Sequence, residues 1–594
     1  MKIEELKMNK TINLDRSKRG QLLLSMVGSG KTWMFLAVFR RLRDIEFHKQ
    51  VGSVSPWPFV LVTKASIVEQ TKRVASELFN LKHPRDILII NIDQLRSKFG
   101  ELFLSEETIM ENGEEHTKWI WRPMLYPCLI CWDECQILKN PTSTQHKIAA
   151  SYNELENVWQ IFSSATPFTR VSEAKCFCVS TRVKQRVASF VETELNNESW
   201  PLFAKAIAAP AEPIEHSPAA VERLIDKMED YIVRVTGIKP QFHARNKVKI
   251  IEFKTPEGRK YYDEAINRFM RRKAKIEQSI TMTDAQKNIG MLVAMLQYRI
   301  AAESNPDRIE YIVNEMHKAA MQGYAAVCAV NFKQTIIKCV KRAKEKYNIS
   351  RNDISIIWGG GQTKKTKKQE AKEAITADTV VLDALKKFGI SMEDLDLEDV
   401  ELKEDEELDP ALRLGVQSLP ERQKEIDKFQ KGRTLYCFFT FKAGGVGLSL
   451  HHTDDLTVEK VRHKESGYAI EEDIPKIPTR PRKTFVAPTW SAMELVQGLG
   501  RAPRLTSLSD TEQDLIFLAG TIEVKVAHIV SMKLRCLQKV VRSIKEDWSG
   551  VIVGNYTDRE IEQKHLKDIE PIESEEDEII DAPPDENGDD EDES

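Results

Sequence analysis

The sequence predicts an α/β protein built as two similar lobes, each a parallel sheet flanked by helices. Three observations predict it. Short apolar runs alternate with amphipathic helical stretches from Gln21 to about Thr169, the alternation resumes from Ala325 to Leu518, and the stretch between is mostly helical and charged. At 594 residues the chain is too long for one hydrophobic core. The expected division is a first lobe at 1–195, a helical bridge at 196–305, a second lobe at 306–545 and a C-terminal extension at 546–594.

Within the first lobe the strand candidates are Leu22 to Leu24, Phe59 to Val62, Ile87 to Asn91, Cys128 to Trp132 and Trp159 to Ser163. An amphipathic helix is expected from Trp33 to Leu42. In the bridge, Tyr231-Ile232-Val233-Arg234 and Val248 to Phe253 are the clearest apolar interruptions. The second lobe offers Ala325 to Val330, Ile354 to Trp358, Thr434 to Thr440, Thr484 to Val486 and Leu515 to Leu518. A Lys-rich, then acidic segment at about 363–420 interrupts it, and its charge blocks predict a flexible insertion. After Thr521, an amphipathic helix with Ile522, Val526, Ile529 and Val530 on one face is expected to pack back on the lobe.

Composition narrows the class. Apolar residues make up 41% of the chain, no run is long enough to span a membrane, and Met1 to Lys10 is charged rather than signal-like, so an intracellular protein without membrane partners is expected. Nine scattered cysteines suit a reducing compartment. Cys128 and Cys131 lie in an apolar run, and neither that pair nor Cys176 with Cys178 has zinc-ribbon spacing, so buried thiols are expected. The tail from Asp568 to Ser594 holds fifteen acidic residues and no Lys or Arg, so removing it from the net charge of −4 leaves +11 on the body. Such a body suits a polyanion, and such a tail suits a basic protein or serves solubility.

The chemistry concentrates in a few runs. Val27-Gly28-Ser29-Gly30-Lys31-Thr32 lies between an apolar strand and an amphipathic helix. Glycines let backbone N–H groups close around phosphates, the helix N-terminus adds its dipole, Lys31 neutralises the outer phosphates, and the Thr32 hydroxyl can hold Mg²⁺. Ser25 stands where the first glycine of such loops is usual. About a hundred residues on, Leu129-Ile130-Cys131-Trp132-Asp133-Glu134 is an apolar strand ending in two carboxylates. Asp133 can reach the metal held by Thr32, and Glu134 can orient or deprotonate an attacking water. Ser163-Ser164-Ala165-Thr166-Pro167 places small hydroxyls at the same sheet edge. In the second lobe, Gln497-Gly498-Leu499-Gly500-Arg501-Ala502-Pro503-Arg504 sets two guanidinium groups three residues apart, able to spread charge from a transferring phosphoryl group.

These runs resemble the motifs of superfamily 2 helicases, and among them the Swi/Snf-like ATPases. Ser25 to Thr32 resembles motif I, Leu61-Val62-Thr63-Lys64 motif Ia, Asp133-Glu134-Cys135-Gln136 motif II, and Ser164-Ala165-Thr166 motif III. Asn331-Phe332 resembles motif IV, Thr440 to Leu448 motif V, and Gln497 to Arg504 motif VI. Ile137-Leu138-Lys139-Asn140, the Ala443-Gly444-Gly445-Val446-Gly447 core and Gly520-Thr521-Ile522-Glu523 favour the Swi/Snf-like branch. Gln136 stands where that family usually carries His, and no adenine-reading Q motif is found, since Gln21 lies inside the first strand.

The resemblance implies two RecA-like P-loop NTPase lobes, with ATP in the cleft and nucleic acid, expected to be double-stranded DNA, across both. ATP would be held by Val27 to Thr32 and Gln497, with Mg²⁺ between Thr32 and Asp133 and with Arg501 and Arg504 completing the site on closure. Gln136, Ser164, Thr166 and Gly445 would couple the lobes. Lys64, Arg96, Thr440 and Lys442 are the candidates for backbone phosphates. A nuclear location, remodelling of protein–DNA complexes and histone contacts through the acidic tail are the further expectations. The competing readings are an ATP-switched, weakly catalytic adaptor and a strand-unwinding DNA or RNA helicase.

Overall fold

The computed structural model describes residues 20–24, 30–64, 67–95, 104–111, 114–122, 126–141, 143–152, 155, 158–188, 191–208, 217–234, 242–278, 284–358, 417–441, 450–452, 459–465, 468–474, 480–504 and 507–541. The phosphate-loop residues Val27, Gly28 and Ser29, the candidates Arg96, Lys442 and Gly445, the charged insertion up to residue 416 and the acidic tail lie outside them.

The first lobe is a six-stranded sheet of β1 (Gly20–Leu24), β2 (Phe59–Val62), β3 (Leu88–Ile90), β4 (Leu129–Asp133), β5 (Trp159–Ser164) and β6 (Ile232–Arg234). Its order is β6-β1-β5-β4-β2-β3 and every pairing is parallel. Both faces are covered, so β2 and β4 run with hardly a polar residue. Successive side chains serve opposite cores: Leu23, Phe59, Leu61, Leu129 and Cys131 meet the helices Lys31–Asp44 and Val68–Phe79. Leu22, Leu24, Val60, Val62, Ile130 and Trp132 meet Ile148, Tyr152, Phe177 and Val221 on the other side.

The second lobe repeats the plan with β7 (Ala244–Ile251), β8 (Ala325–Val330), β9 (Ile354–Ile357), β10 (Tyr436–Thr440), β11 (Arg482–Val486) and β12 (Thr511–Leu518). The order is β7-β12-β11-β8-β10-β9, again all parallel. Two parallel six-stranded sheets with helices on their faces are two RecA-like lobes. The expected strands are present with ends shifted by a few residues; β12 begins at Thr511 rather than Leu515.

The expected domain boundaries are corrected by strand pairing. The two apolar interruptions of the supposed bridge are edge strands: β6 pairs with β1 in the first sheet, and β7 pairs with β12 in the second. The chain therefore leaves the first lobe after Arg234 and enters the second at Ala244. Helices Trp200–Ala208 and Pro218–Met228 bury Phe203, Ile207, Val221 and Leu224 in the first lobe's core. Helices Pro256–Gln278 and Asp284–Glu303 pack on one another and on Ile522. Three hairpins were not expected: Leu104–Glu111 with Glu114–Trp121, Lys184–Ala188 with Val191–Glu194, and Glu459–Glu465 with Tyr468–Ile474.

The last described helix, Glu523–Val541, joins the lobes. Of the expected face, Val526 and Val530 lie in the second lobe's core with Ala527 and Leu534, Ile522 packs with the helices Pro256–Gln278 and Asp284–Glu303, and Ile529 is half-buried, while Cys536, Leu537, Val540 and Val541 lie in the first lobe's core. Lys539 bridges to Glu222 at 2.9 Å. All nine cysteines are buried thiols, and burial pushes Cys128 and Cys176 up to about 12. Among the described residues no helix is long and apolar enough to cross a membrane.

Candidate nucleotide site between the lobes

Parallel pairing brings the carboxyl ends of the strands to one edge, where ligands of open α/β sheets bind. The register sets the neighbours: Leu24 lies opposite Ser164, Asp133 opposite Ser163, and Val62 opposite Trp132. Gly30 takes a left-handed backbone with φ of 80°, and the helix beginning at Lys31 directs its free N–H groups to that edge. Thr32 is thereby carried to Asp133.

Two hydroxyls hold one carboxylate oxygen. Thr32 Oγ1 donates to Asp133 Oδ2 at 3.3 Å, and Thr63 Oγ1 donates to the same oxygen at 3.1 Å. Asp133 Oδ1 is buried without a hydrogen-bond partner. A buried, partnerless carboxylate oxygen beside a threonine hydroxyl fits a hard cation that takes oxygen ligands, so Thr32 and Asp133 are the residues that would hold Mg²⁺. Burial raises the Asp133 carboxyl to about 6, with the Glu134 charge adding and Lys31, Thr63 and Thr32 opposing. Among the described residues no cluster of three or more His, Cys, Asp or Glu offers a further metal site.

Glu134 turns away from the strand in a left-handed conformation with φ of 56°, an unusual backbone for a non-glycine residue and one that concentrates at functional sites. Its carboxylate faces both lobes. Oε2 accepts from Gln136 Nε2 at 2.8 Å and from Gln497 Nε2, on the second lobe's helix Ala492–Leu499, at 3.3 Å. Oε1 lies 4.0 Å from Lys31 Nζ. Burial pushes its pKa up, but Lys31, Lys64, Gln136 and Arg501 together hold it below the usual carboxylate range.

The connection continues into the strand behind. Ser164 Oγ donates to Gln136 Oε1 at 2.7 Å and accepts from the Thr166 N–H at 2.8 Å. Gln136 thus bridges Glu134 and Ser164. The Thr166 hydroxyl is buried and has no partner.

Gln497 is positioned by close packing. A Cβ on the next residue, Gly498, would stand 2.5 Å from the Phe441 ring, so only glycine lets this helix approach. Arg501 is buried and Arg504 half-buried. Burial is the main reason their guanidinium groups are pulled to about 9 and about 10; Arg504 adds to the effect on Arg501, and Glu134 opposes it for both. Asn331 and Phe332 are fixed by Glu303, which accepts from both backbone N–H groups at 3.0 and 3.1 Å.

Two of the candidates for polymer phosphates lie among the described residues. Thr440 ends β10 and is buried. Lys64 is half-buried, and the charges acting on its ammonium are Glu134, Arg501, Asp133 and Lys31. Thr63 was named from the sequence only within the run resembling motif Ia and given no role; its signal was a hydroxyl one residue past an apolar strand, at the edge where β4 presents its carboxylates.

No protein-family model matches the chain, and no curated protein matches it in sequence. Among the solved structures that match is the SWI2/SNF2 ATPase core of Sulfolobus solfataricus in complex with double-stranded DNA, at 16% identity. The match covers 89% of this chain and 90% of that chain with a TM-score of 0.26.

Proposed function

We propose that this chain is an ATP hydrolase whose two lobes work on one nucleotide and use it to move along a nucleic acid, with double-stranded DNA as the favoured polymer. One observation carries the hydrolase reading: the Glu134 carboxylate, beside a buried aspartate suited to a metal, receives hydrogen-bond donors from both lobes. Lys31 and the N-terminus of its helix bind phosphate, Thr32 and Asp133 hold the metal, and Glu134 accepts a proton from water. Arg501 and Arg504 spread the charge of the transferring group. Mg²⁺ held by Thr32 and Asp133 would neutralise negative charge on the phosphates. Change of lobe spacing with nucleotide state then supplies movement along phosphates.

The test is ATP hydrolysis with and without duplex DNA, single-stranded DNA or RNA, comparing wild type with Lys31→Ala and Glu134→Gln. Both variants should abolish turnover. No stimulation by any polymer sinks the translocase reading, and stimulation by RNA or single strands alone moves the assignment to an unwinding enzyme. The Gln497 amide on Glu134 also favours a second reading, because it ties the lobes through that carboxylate whether or not water is attacked: an ATP-switched adaptor that hydrolyses slowly. Single-turnover hydrolysis with excess protein separates the two.

A further inference from the structure

We propose that the Thr63-Lys64 end of β2 belongs to the nucleotide site rather than to the polymer track: Thr63 aims the metal-binding carboxylate, and Lys64 supplies a second ammonium to the outer phosphates. The inference rests on the nucleotide-site reading above and adds two residues to it.

Strand order is the first ground. β2 lies beside β4, with Val62 opposite Trp132, so the residues just past each strand share the edge where Asp133 and Glu134 stand. The Thr63 hydroxyl, itself buried, donates to Asp133 Oδ2 at 3.1 Å. With Thr32 on the same oxygen, the carboxylate is held with Oδ1 in reserve, buried and partnerless. Fixing a ligating carboxylate through its other oxygen is how outer residues orient a metal ligand.

Lys64 follows on a pinned backbone. The Thr63 N–H donates to the Ile90 carbonyl at 2.9 Å, and the Lys64 carbonyl accepts from the Ile67 N–H at 3.0 Å. The half-buried ammonium sits in a cluster of two acids, Asp133 and Glu134, and two further cations, Lys31 and Arg501. Burial lowers its pKa, with Glu134 the largest opposing influence. Lys64 thus adds its positive charge to that of Lys31 and Arg501 at the edge where Asp133 and Glu134 stand, which is an excess a polyanion can use. A polyanion that brings its own charge into the cleft, such as the tail of a nucleoside triphosphate, offsets that excess.

The experiment titrates the purified full chain with fluorescent ATP and ADP analogues in Mg²⁺, and separately with labelled duplex DNA. Lys64→Ala should weaken triphosphate binding by about ten- to a hundredfold, the loss expected for a hydrogen bond to a charged group, with a smaller effect on the diphosphate. Duplex affinity should not change, and Lys64→Arg should recover much of the loss. Thr63→Val should raise the Mg²⁺ concentration needed for half-maximal triphosphate binding by about tenfold or more, and Thr63→Ser should restore it. Equal triphosphate binding by wild type and Lys64→Ala overturns the inference. So does a salt-dependent loss of duplex binding with nucleotide affinity intact, which returns Lys64 to the polymer track. Wild-type protein that binds no triphosphate at all overturns the nucleotide site itself.

Discussion

Replacing Gln136 by Leu keeps the side chain's volume and removes both of its polar links. Its amide N–H no longer supports Glu134 Oε2, a contact of 2.8 Å, and its carbonyl no longer takes the Ser164 hydroxyl at 2.7 Å. A hydrogen bond to a charged group is worth about 1.5–3 kcal/mol. If that support carries through to the barrier, single-turnover hydrolysis slows by roughly ten- to a hundredfold. The Ser164 hydroxyl keeps the Thr166 N–H as donor but loses its acceptor in a fully buried position. Ser164→Ala then removes the hydroxyl that has lost its acceptor but strands the buried Thr166 N–H that donates to it, so added to Gln136→Leu it should recover little stability. In a double-mutant cycle on the hydrolysis rate, the two substitutions should couple by at least about 0.5 kcal/mol, since each breaks the same bridge. Gln136→Leu within twofold of wild type, or strictly additive substitutions, would refute the bridge.

Three further outcomes are expected. Arg501→Ala should lower turnover by on the order of 10³ while ATP affinity changes far less, as measured by steady-state rates against nucleotide titration; unchanged turnover removes Arg501 from the site. Arg308, fully buried, pairs with Glu523 and donates from Nη2 to the Ile516 carbonyl at 2.8 Å, so Arg308→Met should destabilise by about 3–5 kcal/mol in urea denaturation, and adding Glu523→Leu should recover much of it. Burial lowers the His146 pKa from 6.5 to about 4, so the unfolded chain takes up a proton at a pH where the folded chain does not. Stability present above pH 6.5 is lost as pH falls toward 4, by about 2 kcal/mol at pH 5, and His146→Gln should flatten this part of the denaturation profile.

Parallel strands covered on both faces were legible because they read as unbroken apolar runs; Phe59–Val62 and Ala325–Val330 match the structure residue for residue. The edge strands β6 and β7 were not placed in the sheets, although the opposite edges β3 and β9 were found. β7 carries Arg245, Lys247 and Lys249 along an alternating, half-exposed surface, and its partner β12 lies more than 250 residues away, so no local pattern reveals the pairing. The hairpin from Leu104 to Trp121 was legible in principle, from β-branched residues and an Asn112-Gly113 dipeptide at its centre. At the site, residue type disclosed Lys31, Asp133, Glu134 and Arg501, because charge at a strand end or after a glycine loop is informative by itself. Thr63 was hidden because its meaning comes from β2 lying next to β4, a consequence of strand order rather than of sequence neighbours.

The same logic bears on how the cleft opens. Among the described residues, the contacts between the lobes include a hydrogen bond and a packed helix, and these differ in strength. Gln497 reaches Glu134 through one hydrogen bond of 3.3 Å, worth about 1.5–3 kcal/mol. The helix Glu523–Val541 buries Leu537, Val540 and Val541 in the first lobe's core, at about 1.5–3 kcal/mol for each such side chain. Detaching that helix costs several times more than releasing Gln497. Opening should therefore break the Gln497 contact first and turn about the helix, which stays seated on Pro218–Met228. Glu134 is then released from the second lobe while the lobes remain joined, and the nucleotide site can be made and unmade without separation of the protein into two bodies.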